Sequence, residues 1–386
     1  MLWCLRFGGS SPYSSRLKNP QNQSRRSEIQ VEKIPVGILG ATGAVGQKFI
    51  LLLSDHPWFE IRELAASQRS SGKRYQDAVN WIQERPIPEA IREMMVKDCE
   101  PNLEGKMVFS GLDSSVAGEV EEAFAQAGYW VFSNAKNHRM DSDVPLVIVE
   151  LNPEHLNMIP HQQKNRGWEG AIITNANCSA TVLALSIGPL HKMFGLETVH
   201  VVTFQALSGA GYPGVASLDI LGNVIPFISG EEEKIESETQ KILGALDNHQ
   251  FSPAPFTVSA HANRVPVEEG HLECVSVKLK QKAGPEEVTR CWQEFKGSEH
   301  ELNLPSAPQQ PVVVVSEEDR PQPRRDVWKY EGMSALVGRV RPCPLFDIKY
   351  VVLGHNTIRG AAGASLLNAE LVLKKGMLSG LSAPAG

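Results

Sequence analysis

The sequence predicts an α/β protein, with a doubly wound parallel sheet followed by an α+β domain built on a mixed sheet. Three observations predict it. Short apolar runs alternate with helical segments from residue 34 to about 195, the pattern of successive βαβ units. A glycine-rich turn, Gly40-Ala41-Thr42-Gly43-Ala44-Val45-Gly46, joins the first apolar run to the first helix. Beyond residue 196 strand-like segments dominate and helices become few.

The run 34–39 reads as a buried strand and 47–53 as the helix after the glycine turn. In that order, the glycines let the backbone approach a diphosphate and the helix N-terminus stabilises its charge. The spacing is GxxGxxG rather than GxGxxG, so a plain glycine turn is the alternative reading. The next strand, 61–67, ends in Ser67 and is followed by Gln68-Arg69-Ser70-Ser71-Gly72-Lys73. A carboxylate at this end would bind a ribose 2′-hydroxyl. Hydroxyls with Arg69 and Lys73 suit a 2′-phosphate instead, which favours NADP over NAD. A solvated basic loop is the alternative.

Segments 108–112 and 129–134 read as strands, 114–127 as the helix between them and 146–149 as a further buried strand. The turn 134–139 follows a strand C-terminus, the edge at which such sheets bind ligands. Arg139 there is either a surface arginine or a ligand for an anion. The run 171–173 is another buried strand, followed by Thr174-Asn175-Ala176-Asn177-Cys178-Ser179 and an amphipathic helix marked by Val182, Leu183, Leu185, Leu190 and Met193. Cys178 thus sits at a helix N-terminus, where free N–H groups and the dipole favour a thiolate. Asn177 and the Cys178 N–H are candidate oxyanion donors. A packed core cysteine is the alternative, which the polar neighbours and the turn position disfavour.

In the second half, 198–205, 257–261, 272–279 and 311–315 read as strands, and 305–310 and 321–325 as loops. Arg264 and His271 lie seven residues apart around Gly270, so a turn can bring a carboxylate- or phosphate-binding guanidinium and a proton carrier to one cleft. Each is otherwise a structural residue. Glu231 and Lys234 open a helix at i and i+3, placed to bind an ammonium and a phosphate, or simply to form a solvated helix start. The last helix, 357–374, begins with small residues that permit close approach. It is expected to be amphipathic and to return to the first domain.

A net charge of −6 gives no footprint for nucleic acid, and no apolar run approaches the roughly 20 residues of a membrane span. The six cysteines, Cys4, Cys99, Cys178, Cys274, Cys291 and Cys343, are scattered without a CxxC pair, so neither a metal site nor a disulfide framework is indicated. The Arg- and Ser-rich, acid-poor leader is expected to be disordered, as an inert extension or a targeting segment.

The glycine turn, Asn177-Cys178-Ser179, Gln205-Ala206-Leu207-Ser208-Gly209-Ala210-Gly211, the Arg264 to His271 spacing and Asn356-Thr357-Ile358-Arg359-Gly360 together resemble aspartate-β-semialdehyde dehydrogenases. The archaeal and fungal branch is resembled through Ser133-Asn134-Ala135-Lys136, Glu231 to Lys234, Arg320-Pro321-Gln322-Pro323-Arg324 and Gly332-Met333-Ser334. The resemblance runs from residue 34 to the C-terminus. It implies a Rossmann-type NADP-binding domain over 34–177, completed by 355–386. A catalytic and dimerisation domain over 178–354 follows, the whole being glyceraldehyde-3-phosphate dehydrogenase-like, with 1–33 as an extension.

The activity implied is NADPH-dependent reductive dephosphorylation of L-aspartyl-4-phosphate to L-aspartate 4-semialdehyde, in lysine, threonine, methionine and diaminopimelate biosynthesis. By resemblance Cys178 forms an acyl-thioester, His271 is the general acid/base and Gln205 orients the substrate. Arg264 binds the α-carboxylate, Glu231 the α-amine, and Lys234 and Arg139, beside Asn134, the phosphate. Gly40, Thr42, Gly43, Ala44, Val45, Ser67, Arg69, Ser70, Ser208, Gly209 and Asn356 are the NADP contacts. A malonyl-CoA reductase-like enzyme is the nearest alternative, and a non-catalytic NADP-binding regulator is one of a different class. The partners expected are a small-molecule substrate and inorganic phosphate, with a homodimer or homotetramer built on apolar faces that include 312–315. The expected location is the cytoplasm, with an organelle as the alternative if the leader is a targeting segment.

Overall fold

The computed structural model describes residues 32–378 together with 380, 381, 383 and 384. What was expected of residues 1–31 lies outside the described residues.

The first sheet holds β1 (Ile34–Leu39), β2 (Phe59–Ala66), β3 (Val96–Asp98), β4 (Met107–Ser110), β5 (Trp130–Ser133) and β6 (Ala171–Thr174). All pairs are parallel, in the order β3-β2-β1-β4-β5-β6. The order reverses between β1 and β4, so a crevice opens at the C-terminal ends of the strands there. Strands β1, β4, β5 and β6 are buried on both faces, whereas β2 and the edge strand β3 carry exposed residues. Val36, Ile38, Phe109, Phe132 and Ile173 share one core. Leu39, Val108, Val131 and Ile172 share the other with Phe124 and Ala125 of helix α2 (Ser114–Gln126). Helix α1 (Ala44–Ser54) packs on the first face through Phe49, Ile50 and Leu53. β3 is a three-residue edge strand with no apolar run to mark it in the sequence.

The run 146–149 is buried but is not a strand; Leu146 makes only an isolated bridge to Thr174. The Asn152 side chain replaces a ladder partner, accepting from the Ile148 N–H at 2.8 Å and donating to the Leu146 carbonyl at 2.8 Å. Buried backbone polar groups need partners of some kind, and here a side chain supplies them.

Helix α3 (Cys178–Phe194) follows β6 and stands under the second sheet. It is not amphipathic as expected, because Ser179 to Leu190 are buried all round. The second sheet contains β7 (Leu196–Gln205), β8 (Thr257–Arg264), β9 (His271–Leu279), β10 (Val312–Val314), β11 (Ala335–Pro342) and β12 (Ile348–Gly354). In space they run β8-β7-β9-β12-β11-β10, with β8·β7 and β10·β11 parallel and the other pairs antiparallel. Burial alternates along β7, β8 and β9. Their inward side chains meet α3, α4 (Glu231–Ile242) and α5 (Pro285–Glu294).

After β12 the chain makes a π-helical turn at Ile358–Ala362 and continues as α6 (Gly363–Lys374). This segment too is buried throughout rather than amphipathic. Leu366, Leu367, Leu371 and Val372 join the core of Val36 and Phe109. Residues 323–326 within an expected loop form one helical turn.

Candidate active site

The register of the two sheets fixes where the chemistry falls. Leu39 pairs with Ser110, Ser110 with Ser133 and Ser133 with Thr174. The glycine turn after β1, the 134–139 turn after β5 and the 175–178 turn after β6 therefore leave the sheet at one level. Three strand spacings, about 14 Å, separate the first from the last, a span suited to an extended dinucleotide. In the second sheet Arg264 pairs with Gln205, and Leu272 with Phe204, which sets Gln205 level with His271. Arg264, Gln205 and His271 thus form one buried row.

Cys178 is the first residue of α3, and its Sγ lies 3.2 Å from His271 Nε2. The Ala206 N–H donates to His271 Nδ1 at 3.1 Å, so the proton of the neutral ring sits on Nε2, facing the sulfur. Burial, then the Arg264 cation and the neighbouring His355, push the imidazole down to about 3. Burial, then the Glu231 carboxylate, push the thiol up to about 12, against the opposing pull of Arg139 and Arg264. The thiolate expected from the helix N-terminus is therefore not the resting form. Desolvation outweighs the helix end, and the pair rests as neutral thiol and neutral imidazole.

Asn177 caps α3 rather than facing the sulfur. Its Oδ1 accepts from the N–H groups of Ser179 at 2.9 Å and Ala180 at 3.1 Å. Its Nδ2 donates to Glu231 Oε1 at 2.8 Å. The Cys178 N–H, at the first helical position with no intrahelical acceptor, is the donor that remains for an oxyanion. Glu231 is the hub: Oε1 also accepts from Gln205 Nε2 at 3.1 Å, and Oε2 pairs with Lys234 at 3.2 Å. Arg264 donates one Nη1 bond, 2.6 Å, to the Ala206 carbonyl. Arg139 is bonded to the Asn134 carbonyl at 2.8 Å and to Glu238 at 3.1 Å.

Glycines at two points are demanded by this packing. A Cβ on Gly209 would lie about 3 Å from both Arg264 Nη1 and His271 Cε1. One on Gly360 would lie 2.7 Å from the Cys178 Cβ. Asn356 donates to Ser208 Oγ at 2.8 Å and accepts from the Gly270 N–H at 2.8 Å, tying the 207–210 turn to the loop before His271.

The glycine turn fits a diphosphate. Gly40 has φ of +74°, and a Cβ at Gly46 would run into the Gly40 carbonyl, so turn and helix close tightly. Gly43 is exposed at the N-cap of α1, with no side-chain cap and no carboxylate in the first turn to compete for the N–H groups. Thr42, Ala44 and Val45 flank it. Ser67 and Arg69 are exposed at the end of neighbouring β2, with Ser70 beneath them, where a 2′-phosphate would be met.

Sequence reasoning missed Glu238 and Lys241, which continue the Glu231–Lys234 face of α4. It also missed Glu269, which accepts from Ser208 Oγ at 3.0 Å and pairs with Lys48 at 3.4 Å. The signal for the first pair was the helical repeat itself.

Two family models match the chain: the NAD binding domain of semialdehyde dehydrogenase over residues 35–159 and the semialdehyde dehydrogenase dimerisation domain over 187–359. The aspartate-semialdehyde dehydrogenase of Archaeoglobus fulgidus is 51% identical over 341 residues, covering 88% of this chain and 98% of the relative. That of Cryptococcus neoformans is 49% identical over 359 residues, covering 90% and 98%. Among solved structures, the aspartate semialdehyde dehydrogenase with NADP from Candida albicans superposes with a TM-score of 0.83 at 44% identity, over 90% of this chain and all of that one.

Proposed function

The chain belongs to the aspartate-semialdehyde dehydrogenase family, and from that premise we propose how its own residues carry out the reaction. The reaction is the NADPH-dependent reductive dephosphorylation of L-aspartyl-4-phosphate to L-aspartate 4-semialdehyde, run in reverse as phosphate-dependent aldehyde oxidation. The observation that carries the reading is the 3.2 Å approach of Cys178 Sγ to His271 Nε2 inside a ring of Arg264, Glu231, Lys234 and Arg139.

Arg264 holds the substrate α-carboxylate and Glu231 the α-ammonium. Neutralising Glu231 in this way removes the nearest charge that opposes the thiolate. With the His271 hydrogen moved to Nδ1, the Cys178 thiol gives its proton to His271 Nε2 as Sγ attacks the acyl carbon, and the oxyanion is met by the Cys178 N–H. Arg139 and Lys234 take the charge of the leaving phosphate, and a thioester remains on Cys178. Gln205, held by Glu231, fixes the acyl group in this row. Bound NADPH would supply the hydride that reduces the thioester; the C–S bond then breaks, the aldehyde leaves, and the Cys178 sulfur takes back the proton held at His271 Nε2.

His271 Nε2–H donates to the sulfur or to a developing alkoxide. It becomes a base only when its proton moves to Nδ1, which costs the bond from Ala206. Gly40, Thr42, Gly43, Ala44 and Val45 would cradle the diphosphate, Ser67, Arg69 and Ser70 the 2′-phosphate, and Ser208, Gly209 and Asn356 the nicotinamide end. A CoA-thioester substrate without an amine would leave Glu231 with Lys234 as its cation and no substrate ammonium to meet.

The domains follow the sheets: 34–177 with 355–386 for the cofactor, and 178–354 for catalysis and dimerisation. Of the dimer surface expected at 312–315, Val312 is part of the core, while Val313 to Val315 are half-buried on or beside the edge strand β10. Leu218, Leu221, Val224 and Phe227 are large apolar side chains exposed within one short segment, and we assign them to contact with a second copy in a homodimer. A monomer mass by light scattering at assay concentration would overturn that assignment. No helix among the described residues is long and apolar enough to cross a membrane, and we place the enzyme in the cytoplasm.

The test of the reaction is NADPH formation from L-aspartate semialdehyde and NADP with and without phosphate. Phosphate-dependent formation is expected. None from folded, NADP-binding protein would refute the assignment.

A further inference from the structure

We propose that Glu238 is a positioning residue that ties the anion-binding half of the site to the nucleophile turn, with Lys241 fixing the loop on which it acts. The proposal rests on the reading of Arg139 as a phosphate ligand and deepens it.

Residues 231, 234, 238 and 241 recur along α4 at i, i+3, i+7 and i+10, so they share one helix face. The first pair faces substrate in the mechanism above; the second has no part in it. Glu238 is 2% exposed, a depth at which a carboxylate must be paired. Its two oxygens go to different places. Oε1 accepts from Arg139 Nη1 at 3.1 Å. Oε2 accepts from the Asn177 backbone N–H at 2.5 Å. Those donors belong to turns that leave separate strands, β5 and β6. One carboxylate therefore sets the distance between the guanidinium and the residue preceding Cys178.

The rest of Arg139 shows what this achieves. Nη2 donates to the Asn134 carbonyl at 2.8 Å, while Nε is buried and has no partner among the described residues. Two bonds thus hold the plane of the guanidinium and leave a donor uncommitted. Lys241 completes the bracket. Its ammonium donates to the carbonyls of Arg139 at 2.7 Å, Asp141 at 2.8 Å and Val144 at 2.9 Å. All three of its hydrogens are spent on the 139–144 loop, so it has none for a ligand. The same helix that offers Glu231 and Lys234 to substrate therefore locates the arginine and the nucleophile turn.

A double-mutant cycle on the full chain tests this, with Glu238→Gln and Arg139→Gln. The readout is the apparent KM for phosphate in the oxidative direction, with the KM for NADP as internal control. Glu238→Gln keeps the length and removes the charge. It is expected to raise the phosphate KM about tenfold or more and to leave the NADP KM within about twofold. With Arg139→Gln already present, adding it should change the phosphate KM by less than about twofold, since the arginine through which it acts on the phosphate is gone.

A raised phosphate KM in Arg139→Gln with an unchanged one in Glu238→Gln overturns the proposal and leaves the arginine reading intact, as do additive losses in the double variant. An unchanged phosphate KM in Arg139→Gln overturns the arginine reading itself. Should Glu238→Gln not fold, Glu238→Asp keeps the charge but is too short to reach both donors. A wild-type phosphate KM in that variant overturns the proposal.

Discussion

Replacing Gly360 with alanine should disable the nucleophile without touching any charged group. Gly360 lies in the π-helical turn Ile358–Ala362, hard against the first residue of α3. A Cβ built there lies 2.7 Å from the Cys178 Cβ and 2.9 Å from its Cα. Carbon atoms in ordinary contact sit about 3.5–4.0 Å apart, so relief requires roughly 1 Å of movement. Neither side gives easily. Ser179 to Leu190 of α3 are buried on all sides, and the turn is held by the Gly360 N–H to the His355 carbonyl at 3.0 Å. Moving Cys178 breaks its 3.2 Å approach to His271.

A misplacement of about 1 Å costs on the order of 100-fold in rate, and overpacking of this kind costs about 1–3 kcal/mol of stability. The assay is kcat for phosphate-dependent NADPH formation at saturating substrates, beside NADP binding and a thermal melt. The expected result is a loss of about 100-fold in kcat with NADP affinity retained. A folded Gly360→Ala variant with a kcat within about threefold of wild type would refute the packing argument.

Two further outcomes follow from the site. Alkylation of Cys178 in the ligand-free protein, followed by peptide mass, should speed up about tenfold per pH unit through pH 9 without levelling. Its thiol is held up to about 12 and His271 is held down to about 3, so the thiolate fraction keeps growing with pH. A plateau reached by pH 7 would instead report a thiolate–imidazolium pair. Arg69→Ala should raise the KM for NADP by about 10- to 100-fold and leave that for NAD nearly unchanged, because a charge-assisted bond to phosphate contributes about 1.5–3 kcal/mol. Equal effects on both cofactors would remove Arg69 from the 2′-phosphate.

The parallel sheet was legible because its strands other than β3 are apolar-rich runs that lead into Gly, Ser or Asn, and the βαβ rhythm separates them. Leu146 to Val149 carry the same composition, yet the side chain of nearby Asn152 takes the Ile148 N–H and the Leu146 carbonyl. Composition records burial and says little about what the backbone bonds to. β11 was obscured by its own irregularity. The register shifts between Gly338 and Arg341, with Arg339 at φ +57°, so the alternation breaks midway.

At the site, Cys178, His271, Arg264 and Glu231 stood out because each residue type has a chemistry and each lies beside a turn. The protonation state of Cys178 did not, since a helix N-terminus is visible in sequence and desolvation is not. Glu238 and Lys241 were hidden for a different reason. Their partners, Asn177 and the 139–144 loop, lie about 60 and 100 residues away in sequence, and nothing local marks the contact.

The second sheet sets its side of the chemistry through register. On β9, His271, Glu273, Val275 and Val277 point inward, while Cys274 and Lys278 are exposed. A slip of one residue would turn Leu272 toward Cys178 and carry His271 to the outer face. The pairing of β9 with both β7 and β12 over most of its length prevents that slip. The register also has a cost, since it buries Glu273 completely with both oxygens unpartnered among the described residues. Burial, and next the Glu231 charge, drive that carboxyl well above the usual range, which favours its protonated form. A neutral Glu273 matters to the site: a second carboxylate one row behind His271 would add to Glu231 in opposing the thiolate. The strand that delivers the histidine therefore carries an inward acid whose burial favours the uncharged form.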